Sequence, residues 1–260
     1  MQLEIWQLIF LASMGILAGV LNVIAGGGSL LTLPVMIFLG IPESVANGTN
    51  RVAIFAQNVT AVSGFRKKGF SDFRLSFTLA LAAVPGSVLG AQAGVLVRGE
   101  TFNRILAVVM IAVIVLMAVQ QRSKEEAKHA APVKTAGSVS LNRSRWIWGH
   151  IAMVGVGFYG GFIQAGVGFL IMAVLSKLMK LDLVRVNMHK VFVVGMFTLA
   201  ALIVFIIHGK IWWVTGLCLA VGNSLGGWIG SQLSVTKGEG FIRRVLYIAL
   251  LVMAIKLLFG

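Results

Sequence analysis

The sequence predicts an all-α integral membrane protein built from two inverted repeats of five helical elements each, with broken, half-helix hairpins. Three observations predict it: long apolar runs, a glycine-interrupted pattern that occurs twice, and basic residues gathered into a few loops. Of 260 residues, 58% are apolar and only 12% are charged, where a soluble domain is nearer half apolar and about a quarter charged. Several runs approach the roughly 18 to 20 apolar residues that cross a bilayer, most plainly Ile105 to Val119, Val191 to Ile207 and Leu246 to Phe259.

A net charge of +14 raises nucleic acid as a partner, but the basic residues lie between apolar runs, as the positive-inside bias places them. No nucleic-acid partner is expected. Cys218 is the single cysteine, so neither an intrachain disulfide nor a Cys-based metal site is open to the chain. Met1-Gln2-Leu3-Glu4 carries no positive n-region, and the first apolar run is expected to stay in the mature protein.

Charge, proline and glycine divide the chain into ten elements. The first five run over 4–24, 29–40, 44–64, 73–97 and 101–120. The second five run over 146–164, 167–179, 183–207, 211–233 and 240–259. Residues 1–120 form the N-terminal transmembrane repeat and 146–260 the C-terminal one. The polar stretch 121–145, with Lys124-Glu125-Glu126-Ala127-Lys128, Pro132 and Gly137, reads as a mobile linker between them.

The first element ends at Ala25-Gly26-Gly27-Gly28-Ser29. Glycine costs about 1 kcal/mol against alanine inside a helix, and a broken helix frees backbone groups that lipid cannot satisfy. Such a break is tolerated where the backbone is buried in protein or lines a wet cavity. The second element is only about 17 Å long at 1.5 Å per residue, too short to span. Elements 1 and 2 therefore read as a long helix and a returning half-helix.

The pattern recurs. Gly15-x-x-x-Gly19 answers Gly157-x-x-x-Gly161, Asn22 answers Gln164, and the glycine break answers Ala165-Gly166-Val167-Gly168. Asn47-Gly48-Thr49-Asn50 answers Asn187-Met188-His189-Lys190, and Gly86, Gly90 and Gly94 answer Gly222, Gly226 and Gly230. The basic loops hold Arg66, Lys67, Lys68 and Arg74; the central linker; Lys177, Lys180, Arg185 and Lys190; and Lys237, Arg243 and Arg244. Five elements per half put all four inside, with the linker cytoplasmic and both termini outside. Five is odd, so the halves must be inverted, a plan recurrent among secondary transporters.

Candidate site residues follow from the breaks. Ser29 is expected as the N-cap of element 2, whose N–H groups and positive dipole end would form an anion site. Asn22, Gly26, Gly27 and Gly28 surround it; Gln164, Gly166 and Gly168 repeat it. Thr49, Asn50 and Arg51 open element 3 and could add donors, Arg51 as a fork for an oxyanion. Asn187, His189 and Lys190 are the matching set, with His189 a candidate carrier of a coupling proton. Gln57 and Asn58 read as interhelical hydrogen-bonding residues. Element interiors contain almost no Asp or Glu, and no HExxH, GxSxG, P-loop or Cys cluster occurs, so no enzyme, no metal and no cofactor is expected.

The run Asn22-x-x-Ala25-Gly26-Gly27-Gly28-Ser29-Leu30-Leu31, then Leu33-Pro34, Gly40-Ile41-Pro42, Ala46-Asn47-Gly48-Thr49-Asn50-Arg51 and Pro85-Gly86-x-x-Leu89-Gly90, resembles the sulfite exporter TauE/SafE family of permeases. The resemblance implies a multi-pass transporter of a bacterial or archaeal inner membrane. Its substrates would be small anions such as sulfite, sulfoacetate, other organosulfonates or carboxylates. The partners implied are that small anion and the lipid bilayer, with a homodimer left open. An anion channel using the same helix ends is the rival expectation.

Overall fold

A computed structural model of the chain describes residues 3–24, 26–67, 73–128, 142–181 and 183–233. Among these residues there are nine α-helices and no strand. In order they are α1 (Ile5–Ile24), α2 (Ser29–Phe38), α3 (Glu43–Lys67), α4 (Phe73–Leu96), α5 (Gly99–Lys128), α6 (Arg143–Phe162), α7 (Val167–Ala173), α8 (Leu183–Ile207) and α9 (Trp213–Leu233). The bounds follow the sequence reading closely, with two differences. Helix α5 runs on to Lys128, into the stretch read as linker. Helix α7 ends at Ala173 and continues as a single π-helical turn, Val174–Leu178. The rest of the linker and the tenth element, 240–259, lie outside the described residues.

Helices α1, α4 and α8 each contain a stretch long and apolar enough to cross a membrane: Ile5–Ile24, Phe73–Leu96 and Arg185–Ile207. Their outward faces carry exposed Ile9, Phe10, Leu81, Leu89, Ile203 and Ile206, which suits lipid rather than water. Helix α3 is the reverse. Its buried face holds Ser44, Asn47, Thr49, Asn50, Arg51, Gln57 and Asn58, polar groups that a membrane protein turns toward its own interior.

Helices α3 and α8 pack against each other at the centre, flanked by α9 and α4, with α1 lying along α9 and α6 along α4. Glycines set the two outer contacts. A Cβ at Gly19 would lie 2.4 Å from the Asn223 carbonyl oxygen on α9, and one at Gly161 would lie 2.0 Å from the Ser87 carbonyl oxygen on α4. From the other side, Gly90 meets the Phe158 carbonyl and Gly226 the Ile16 carbonyl, at 1.9 and 2.1 Å. Only a residue without a side chain lets these backbones touch.

Each short helix turns back after its long one. Gly26 and Gly166 take the left-handed conformation, with φ of +85° and +69°, which glycine reaches without strain. The tips of the two hairpins then meet. A Cβ on Gly168 would lie 2.4 Å from Gly26 Cα, and one on Gly26 would lie 2.7 Å from the Gly168 carbonyl carbon.

Candidate functional site

Beneath this contact lies a cavity lined by Asn22, Gly26, Ser29, Ile54, Gln57, Asn58, Gln164, Val167, Gly168, Lys190 and Val194. Its volume is about 20 Å³, room for roughly one water. Both hairpins and the two central helices contribute to it. No carboxylate among the described residues lines it.

The two hairpins are stitched together at Ser29. Its hydroxyl donates to the Gln164 carbonyl at 3.2 Å and accepts from the Gly166 N–H at 3.2 Å. Ser29 is therefore not the N-cap expected of it. Gly28 occupies that position, and Ser29 is the first helical residue, its side chain turned across to the other half. The N-terminal N–H groups of α2 are also satisfied. Asn22 Oδ1 accepts from Ser29 N at 3.1 Å, the Gly27 carbonyl accepts from Leu30, and the Gly28 carbonyl accepts from Leu31 and Thr32. The expected open ring of backbone donors is closed, because the last turn of α1 folds over the start of α2.

Arg51 departs from expectation as well. It is 1% exposed and does not line the cavity. Its guanidinium donates to the carbonyls of Gly160, at 3.0 Å, and Gly161, to Gln164 Oε1 at 3.0 Å and to Asn47 Oδ1 at 3.2 Å. The plane lies over the Phe205 ring, 4.6 Å from its centroid. Asn47 Nδ2 takes the next carbonyl, Phe162, at 2.8 Å. The α6 C-terminus presents orphan carbonyls and the negative end of a dipole, and this fork satisfies them.

Lys190 serves the opposite helix end. Its Nζ donates to the Val23 carbonyl in the last turn of α1 and to Asn187 Oδ1, each at 2.8 Å. Unlike Arg51, it also lines the cavity. A cation on α3 thus holds the end of α6, and a cation on α8 holds the end of α1. An asparagine supports each.

The remaining candidates are placed off the cavity. Thr49 Oγ1 accepts from Trp212 N at 2.9 Å at the start of α9, and Asn50 Oδ1 accepts from Thr32 Oγ1 at 2.8 Å. His189 Nδ1 sits 2.7 Å from Ser76 Oγ on α4, and His189 is not among the residues lining the cavity. Gly27, Gly28 and Gly166 shape the turns without lining the space.

Gln57 and Asn58 line the cavity, though the sequence reading made them packing residues. The signal was present. Asn47, Asn50, Ile54, Gln57 and Asn58 recur at three- and four-residue spacing, one face of α3. Gln164 is unusual in backbone too, with φ of +57°. A non-glycine residue held there is strained, and such strain clusters at functional sites.

The model of the sulfite exporter TauE/SafE family matches residues 11–257. A probable membrane transporter protein of Sinorhizobium is 27% identical over 96% of this chain and 92% of its own length. A probable membrane transporter protein of Escherichia coli is 29% identical over 94% of this chain and 86% of its own. One of Bacillus subtilis is 21% identical over 96% and 97%. No solved structure matches the chain. With its match running over residues 11–257, the chain belongs to the sulfite exporter TauE/SafE family.

Proposed function

We propose that this protein is a secondary transporter of small anions, sulfite or organosulfonates such as sulfoacetate, working by alternating access in a bacterial or archaeal inner membrane. One observation carries the reading. The only described cavity where the two hairpin tips meet is lined by a lysine and four side-chain amides, with no carboxylate among the described residues. Such a lining recognises an anion and repels a cation.

The contact between the two hairpin tips supports an alternating-access reading. The cavity's ceiling is the Gly26–Gly168 backbone contact and the Ser29 bridge between hairpins. At about 20 Å³ the space holds about one water, so a sulfur oxyanion needs more room than this arrangement gives it. Matched glycine contacts in the two halves support two inverted repeats, which rock about such a fixed site. On that plan both termini lie outside, and the linker, 121–145, is cytoplasmic.

Counterflow in proteoliposomes tests the reading. Vesicles loaded with unlabelled sulfite should accumulate labelled sulfite transiently, with a saturable initial rate. A linear, unsaturable flux without counterflow would make the protein an anion channel. No flux of sulfite, sulfoacetate or a simple carboxylate would remove the anion reading.

A further inference from the structure

Two hydrogen-bond relays beside the cavity take their direction from groups that can only donate. A backbone N–H is one and a guanidinium is another. Ser29 N donates to Asn22 Oδ1 at 3.1 Å, so Asn22 must offer its Nδ2 onward, and Gln57 Oε1 accepts it at 2.9 Å. With its oxygen engaged, Gln57 turns its amide hydrogens to the cavity. A second relay runs from Arg51. Its NH1 donates to Gln164 Oε1 at 3.0 Å, and Gln164 Nε2 spends one hydrogen on Thr198 Oγ1, leaving the other for the cavity that Gln164 lines.

We propose that Gln57 and Gln164 are the neutral donors that recognise the oxygen atoms of the transported anion, and that Asn22 and Arg51 are positioning residues that fix them as donors. The inference rests on the anion reading above and deepens it. Both amides could face either way by shape alone; the relays choose one. Lys190, whose Nζ donates to Val23, Asn187 and Met172, adds positive charge on the same wall. Asn58 is different. Its Nδ2 donates one hydrogen to the Ile54 carbonyl at 2.7 Å, which leaves its oxygen as well as a second hydrogen beside the cavity. The ligand class is therefore an oxyanion rich in acceptors, with a place for one donor, an O–H or a bridging water, at the Asn58 oxygen.

Arg51 acquires a second duty on this account. Its charge stays out of the cavity, and its effect on the ligand passes through the Gln164 amide. The second relay also joins the halves, whereas the first stays within the N-terminal one. The first begins at the α2 tip and ends on α3; the second begins on α3 and ends at the α6–α7 break. Parting the tips would loosen the second, so the alignment of the Gln164 donor is tied to closure.

The test uses the full-length protein in detergent and methanesulfonate, whose charge is constant between pH 5 and 8. Thermal stabilisation is titrated for the native protein, Gln57→Met and Gln57→Glu. Methionine removes the donor and leaves Asn22 Nδ2 without its acceptor. Glutamate keeps that acceptor but turns a second carboxylate oxygen to the cavity beside Lys190. Affinity and unliganded stability should then rank differently. Gln57→Met should be less stable and bind about tenfold more weakly at both pH values, the loss of one hydrogen bond to a charged group. Gln57→Glu should be as stable as the native protein and lose binding at pH 8 and pH 5 alike, because a carboxylate beside Lys190 stays ionised across that range and repels the anion. If both variants bind as the native protein does at pH 8, the donor assignment falls and the anion reading stands. If the two variants' losses of affinity simply follow their losses of unliganded stability, the effect is structural and the assignment falls. If neither methanesulfonate nor sulfite stabilises the native protein, the anion reading fails and takes this inference with it.

Discussion

Gly161→Ala, set beside Gly155→Ala on the same helix, measures how tightly the α4–α6 crossing holds the site. A Cβ at Gly161 would stand 2.0 Å from the Ser87 carbonyl oxygen and 2.6 Å from Ser87 Cα. Ordinary contact begins near 3.4 Å, so the helices must part by about 1.4 Å. Helix α4 cannot yield locally, because the Ser87 hydroxyl also donates to the Phe197 carbonyl on α8 at 2.7 Å. Overpacking of this kind costs roughly 1–3 kcal/mol, and Arg51 must let its bond to the Gly161 carbonyl lengthen. The expected total is about 3 kcal/mol, which lowers the midpoint by roughly 6–12 °C in a chain of this size. Around Gly155 nothing lies within 4 Å, and alanine is the better helix former by about 1 kcal/mol, so Gly155→Ala should unfold no earlier than the native protein. Detergent-purified variants heated at one scan rate give the comparison, since membrane proteins unfold irreversibly and the midpoint depends on rate. Midpoints for the two variants within about 2 °C of each other would refute the claim that backbone contact at Gly161 holds the crossing.

The two buried cations should separate by phenotype. Arg51→Met strands two α6 carbonyls and the Gln164 oxygen; removing one side of a buried charged network costs about 3–5 kcal/mol, and the variant should show as lost folded yield in size-exclusion chromatography. Lys190→Met should leave more folded protein but abolish stabilisation by sulfite, because it removes the only cation among the cavity's described lining residues; retained stabilisation would disprove its contact with the anion. The proposed topology is checked by single cysteines in a Cys218→Ser background. Arg98→Cys and Lys210→Cys should react with an impermeant maleimide on intact cells, and Arg66→Cys only after permeabilisation; the reverse pattern would turn the molecule over.

What the sequence determined by itself is local and compositional. Apolar run length, glycine and proline placed the described helices close to their bounds, and the repeated glycines marked where backbones touch, because a missing Cβ is a property of the residue alone. The broken hairpins were legible for the same reason: Gly26 and Gly166 take turns that few other residues enter. The orientation of polar side chains was not legible. Arg51 looked like the ligand's charge and became the clasp of α6, while Gln57 looked like packing and lines the cavity. Ser29 looked like a cap and became a bridge, its partner Gly166 lying 137 positions along the chain. An amide can donate or accept with equal ease, and a buried cation can satisfy a helix end as well as an anion. Which it does depends on groups brought near by the tertiary fold, and those are far away in the sequence.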